Sequence, residues 1–111
     1  MANQLDSFFS ALSDPTRRAV VERLVASGPQ AVSDLHSAHD MALPTFLKHL
    51  KVLEAAGLVR SEKAGRVRTV HIEAAPMAEA EDWLSRQRRL WEGRLDRLDA
   101  LVREMEKGSR Q

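Results

Sequence analysis

A chain of 111 residues with 17 Lys and Arg against 16 Asp and Glu carries a net charge of +1. It fits one domain of ordinary size, residues 1–111, and lacks the bulk cationic charge of an indiscriminate polyanion binder. The absence of cysteine excludes disulfides and thiolate chemistry, and no apolar run is long enough for a membrane span or a secretory core, so a cytoplasmic location is expected.

The first predicted helix, within residues 1–12, places Leu5, Phe8, Phe9 and Leu12 on one apolar stripe. Asp14-Pro15 reads as the start of a second helix whose apolar positions are Ala19, Val20, Val21, Leu24 and Val25, and Ser27-Gly28-Pro29 ends it. Val32, Leu35 and Ala38 mark the buried side of a short third helix, followed by a turn at Asp40 to Ala42.

The fourth helix, residues 43–56, is the most informative. Leu43, Phe46, Leu47, Leu50 and Leu53 fall at the spacing of one buried face, and Thr45, Lys48, His49 and Lys51 lie opposite. Pro44 is tolerated in the first turn, and Gly57 suits a left-handed cap at the other end. A short amphipathic helix preceded by a tight turn is how a helix-turn-helix presents side chains to a major groove. Thr45, Lys48 and His49 are therefore the expected base contacts, with Lys51 beside them.

After Gly57 the period changes to two. Residues 58–72 alternate around Ala64-Gly65 and predict a β-hairpin. From Pro44 to His71 six cations (Lys48, Lys51, Arg60, Lys63, Arg66, Arg68) face two anions (Glu54, Glu62), so this segment holds +4 and the remainder of the chain −3. Such a localised patch is an electrostatic footprint for phosphates. Arg60, Lys63, Arg66 and Arg68 are expected to hold a nucleic-acid backbone as a wing. Each feature has an ordinary counterpart, a solvated helix or a charged sheet edge, and it is their order and spacing together that points to double-stranded DNA.

From residue 77 to 107 a single long helix is expected. Leu84, Trp91, Leu95, Leu98, Val102 and Met105 keep a four-three spacing interrupted at Arg88, among dense charge of both signs. Such a seam calls for a partner helix, and a small domain has little surface with which to cover it. The expected arrangement is a homodimer through residues 1–12 and 77–107, with Leu5, Phe8, Phe9, Leu84, Trp91, Leu95, Leu98 and Val102 at the interface; the alternative is folding back on the same domain. Gly93 weakens this helix by about 1 kcal/mol relative to Ala.

The expected fold is thus mainly α with a small β-hairpin: a winged helix-turn-helix of order α-α-α-α-β-β-α, dimerising through its first and last helices. The run from Leu12 to Leu24 (LSDPTRRAVVERL), the VSDL segment, MALPTFLKHLKVLEAAGLV and the RVRTVHI wing closely resemble the ArsR/SmtB family of bacterial winged-helix transcriptional repressors. The most specific pieces are Asp14-Pro15-Thr16-Arg17-Arg18 and His49-Leu50-x-x-Leu53-x-x-x-Gly57-Leu58-Val59. The resemblance covers nearly the whole chain and implies a dimeric repressor reading an inverted-repeat operator. In two places the chain departs from the family pattern: Ala42 and Leu47 stand where many relatives have serine. Ala42 removes a helix cap, at about 1 kcal/mol where the cap is used. Leu47 either turns inward or meets a thymine methyl group. Arg17 and Arg18 suit intrachain pairing and DNA equally.

The same resemblance raises metal sensing. His36 and His39, three apart on one helix, with Asp34, Asp40 and His71, are the low-ranked ligand candidates. Without cysteine, the thiolate sites of arsenic, cadmium and lead sensors cannot form, and the last helix has no His for the usual zinc site. No metal or other cofactor is therefore expected. An effector of unknown chemistry remains compatible with the resemblance; Met77, Trp83 and Trp91 either line a pocket for it or belong to the core. No nucleophile with a positioned base and no phosphate-cradling glycine loop is present, so the chain reads as a non-enzyme. A winged helix that binds an acidic protein is the remaining rival.

Overall fold

The computed structural model describes residues 4–109. The chain divides into two compact units, Met1–Ala80 and Glu81–Gln111. The first contains helices α1 (Gln4–Ala11), α2 (Pro15–Ser27), α3 (Val32–Ser37) and α4 (Leu43–Ala55) and strands β1 (Gln30–Ala31), β2 (Val59–Ala64) and β3 (Val67–Ile72); the last helix, α5 (Ala75–Ser109), begins in the first unit and forms the second.

Asp14 starts α2 by accepting the N–H groups of Thr16 and Arg17 at 2.8 and 3.2 Å, two donors that have no partner inside the helix. Pro15 occupies the first turn, where its missing N–H costs nothing. The start of α4 shows the effect of the alanine at position 42: no side chain caps it.

At the other end of α4 the chain closes with two reverse hydrogen bonds, Gly57 N–H to the Glu54 carbonyl at 2.9 Å and Leu58 N–H to the Leu53 carbonyl at 3.0 Å. Gly57 has φ +73°, a conformation that favours glycine, while an added Cβ would meet Gln4 and Pro76 only at ordinary contact distances of 3.4 and 3.5 Å. The stop sends the chain directly into β2, with Leu53 and Leu58 both buried.

The sheet is three-stranded and antiparallel in the order β1-β3-β2. The sequence reading anticipated the β2–β3 hairpin and not β1, whose two residues, paired as Gln30 with Val70 and Ala31 with Thr69, are too few to show any alternation. The hairpin turns through Gly65-Arg66, with Ala64 opposite Val67 and only Gly65 at positive φ (+62°). Glycine at the first central position is the choice of a two-residue turn whose twist matches the strands.

Phe46, Leu24, Leu35, Leu53, Leu58, Val20 and Val70 are fully buried and join α2, α3, α4 and the sheet in one core. Phe8 belongs to it too. Phe8, expected at a subunit interface, has its ring occupied inside its own protomer, and Leu5, expected there too, packs against the same cluster. Phe9, in edge contact with Phe8, keeps 42% of its surface exposed.

In the second unit, i,i+4 ion pairs join Asp82 to Arg86, Arg88 to Glu92 and Asp99 to Arg103. Pairs of this kind support an exposed helix by about 0.3–0.5 kcal/mol each. Leu84, Trp91, Leu95, Leu98, Val102 and Met105 are all exposed, as are Leu90 and Leu101. Among the described residues no helix is long and apolar enough to cross a membrane.

Candidate nucleic-acid interface

The outer side of α4 and one face of the hairpin enclose a groove of about 380 Å³ lined by Pro44, Leu47, Lys48, Leu50, Lys51, Glu54 and Arg68. The strand register explains how Arg68 arrives there. Residues paired directly across an antiparallel ladder share a face. Val59 with Ile72, Ser61 with Val70 and Lys63 with Arg68 therefore point to the side that carries the core near the base of the hairpin and cations near its tip. Ser61, on that face, donates to the Glu54 carboxylate and fastens α4 to β2.

The groove is cationic. Lys48, Lys51 and Arg68 on its walls, with Lys63 and Arg66 at the hairpin end, are exposed, and among the described residues none of the five is held in an ion pair. Thr45 is also exposed on α4. These residues lie on α4 and the adjacent hairpin.

Two of the proposed contacts are placed otherwise. Arg60 lies on the opposite face of the hairpin, ion-paired with Glu62 and with Glu73 at 2.6 Å. The Glu62 hydrogen bond, opposed by slight desolvation and helped by Glu73, holds its guanidinium still more firmly protonated. A cation already flanked by two carboxylates offers little net charge to a phosphate. Its neighbour across the ladder, His71, faces Glu62 at 3.6 Å.

His49 is the second. Its side chain is 19% exposed and lies 3.8 Å from the Asp14 carboxylate. Arg17 donates from Nη1 to its Nδ1 at 3.0 Å. A guanidinium can only donate, so Nδ1 is the acceptor in this contact. Arg17 also donates to the carbonyls of Ala11 at 2.7 Å and Ser10 at 3.3 Å. Arg18 donates to the Leu12 carbonyl at 2.8 Å. Both arginines therefore bind the end of α1, and Arg17 extends the connection to α4. Both make intrachain hydrogen bonds that one helix pattern alone could not reveal. Asp14 completes the cluster. Partial burial pushes its carboxyl up, but the N–H groups of Arg17 and Thr16, with His49 and Arg17 nearby, outweigh this and hold it below the usual carboxylate range.

His36 and His39 flank the ring of Phe46, with centroids 5.4 and 5.5 Å away. His36 Nε2 donates to the Met41 carbonyl at 2.7 Å and so bridges the turn between α3 and α4. Among the described residues no group of three or more His, Cys, Asp or Glu is arranged to hold a metal ion.

Comparison with known proteins places this geometry. A family profile described as a helix-turn-helix domain matches residues 12–62. The chain is 42% identical over 73 residues to the HTH-type transcriptional regulator Rv2034 of Mycobacterium tuberculosis, covering 66% of this chain and 67% of that one. It is 31% identical over 98 residues to the arsenical resistance operon repressor of Escherichia coli, covering 87% and 80% respectively. Among solved structures it is similar to the ArsR family transcriptional regulator RHA00566, with 52% identity, a TM-score of 0.78 and coverage of 81% of this chain and 98% of that one. It is also similar to a homodimeric winged helix-turn-helix DNA-binding domain of Mycobacterium bovis, with 26% identity, a TM-score of 0.59 and coverage of 78% and 82%. With α3, the turn and α4 inside the matched helix-turn-helix and a hairpin wing beside them, the chain belongs to the ArsR family of winged helix-turn-helix transcriptional regulators and acts as a DNA-binding regulator of transcription.

Proposed function

We propose that this regulator is a dimeric repressor that reads an inverted-repeat operator, one half-site per protomer. The observation that carries the reading is the groove between α4 and the hairpin, where three cations, Lys48, Lys51 and Arg68, converge with one carboxylate, Glu54, which accepts from Ser61. In this reading α4 enters the major groove, Thr45 and Lys48 meet base edges, and Lys51, Lys63, Arg66 and Arg68 hold phosphates. His49 and Arg60 have supporting roles, since other side chains of the chain already engage them.

Dimerisation is supported by the exposed apolar seam of α5, which includes Trp91, Leu95, Leu98 and Val102, and by the homodimeric state of the similar M. bovis domain. Two recognition helices related by a two-fold axis would match half-sites one helical turn, or a multiple of it, apart. Repression as the mode of action is supported by the name of the similar E. coli protein, an operon repressor. An effector, where one acts, needs only different affinity for two arrangements of the dimer.

Selection of bound sequences from random duplex DNA by the purified protein, at near-physiological salt and with chelator present, tests this reading. Enrichment of an inverted repeat is the expected result. Failure to enrich any sequence overturns it.

A further inference from the structure

α4 carries a leucine where a solvated helix would carry a polar residue. Leu47 is 36% exposed, and it lies between Pro44 and Lys51 on the groove that Lys48 and Arg68 also line. The buried face of the helix is formed by Phe46, Leu50 and Leu53, so Leu47 is not required by the core. Leu43, one turn earlier and also exposed, borders a separate cleft whose walls include Val32 and Val67 beside Arg66 and Arg68. The exposed edge of Leu47 opens beside Lys48, Lys51 and Arg68, with Glu54 also on the wall.

A DNA major groove presents hydrogen-bonding atoms almost everywhere, and its one apolar feature is the 5-methyl group of thymine. We propose that Leu47 is a specificity-determining residue that selects thymine by packing on its methyl group, while Lys48 and the wing cations hold the duplex in register. This rests on the reading of α4 as the recognition helix. The charge around Leu47 argues for DNA as the occupant, because a purely apolar partner would leave Lys48, Lys51 and Arg68 desolvated and unpaired.

The test removes one methyl group at a time. Each thymine of the selected operator is replaced by deoxyuridine, and affinity is measured for the unaltered protein, Leu47→Met and Leu47→Ser. One thymine per half-site is expected whose demethylation weakens binding roughly fourfold, the value of one buried methyl group. That effect should persist in Leu47→Met and vanish in Leu47→Ser, whose own selected site loses the thymine. A site in which no demethylation weakens binding, or one in which the loss is the same in Leu47→Ser, overturns the assignment while leaving DNA binding intact. Absence of any selected sequence overturns the underlying reading and the assignment with it.

Discussion

Arg17 and His49 are 32 positions apart in the chain and 3.0 Å apart in the fold. Their hydrogen bond joins the start of α2 to the middle of α4, and the other donors of Arg17 hold the end of α1. One guanidinium thus fixes the recognition helix relative to the two helices that precede the helix-turn-helix.

Removing that guanidinium should therefore act first on stability. Arg17→Ala is expected to cost about 1.5–3 kcal/mol, the range for hydrogen bonds made by a charged group, and Arg18→Ala, which loses one carbonyl contact, should cost less. The urea midpoint should fall with an unchanged slope. His49→Ala should likewise lower stability and keep the selected operator sequence; a changed base preference at normal stability would return His49 to the base-reading set.

Asp14 makes the same junction sensitive to acid. Its unfolded carboxyl titrates higher than the folded one, so its contribution is complete above the ordinary carboxylate value and is lost as pH falls through the lowered one. Asp14→Ala should cost about 1 kcal/mol near neutrality, and Asp14→Asn, which can still cap, much less. Thermal unfolding across pH should show the gap between wild type and Asp14→Ala closing on the acid side only.

Salt dependence separates the wing cations. Arg68→Ala or Arg66→Ala should weaken binding to all sequences alike and reduce the slope of log affinity against log salt by about one. Arg60→Ala should leave that slope nearly unchanged because Glu62 and Glu73 already flank it. Titrations of one operator at several salt concentrations decide; equal loss of slope in all three variants would contradict the pairing seen for Arg60.

The seam on α5 predicts a concentration-dependent assembly. Leu98→Glu places a charge at an apolar position that is 56% exposed in the single chain. It should weaken the dimer roughly tenfold or more if that side chain is buried between copies. Sedimentation equilibrium should find the wild type dimeric and the variant shifted to monomer, with the variant's fold retained. A wild-type protein that stays monomeric would refute the proposed assembly.

Local pattern alone was sufficient for much of this molecule. Asp14-Pro15, the 3.6-residue spacing of Phe46, Leu50 and Leu53, the glycine stop at position 57 and the alternation around Gly65 each depend on interactions within a few residues, and sequence displays those directly. The cationic segment and the apolar seam of α5 were legible for the same reason. The short strand β1 was not, because two residues carry no period and gain their identity only from Val70 and Thr69 of β3. Nor could a helical wheel tell that Arg60 would be neutralised by Glu73, that Phe8 would close a core, or that His49 would turn to Arg17. Those outcomes are contacts between segments distant in the chain. Periodicity tells which residues share a face, and only the packing of one element on another decides what that face meets.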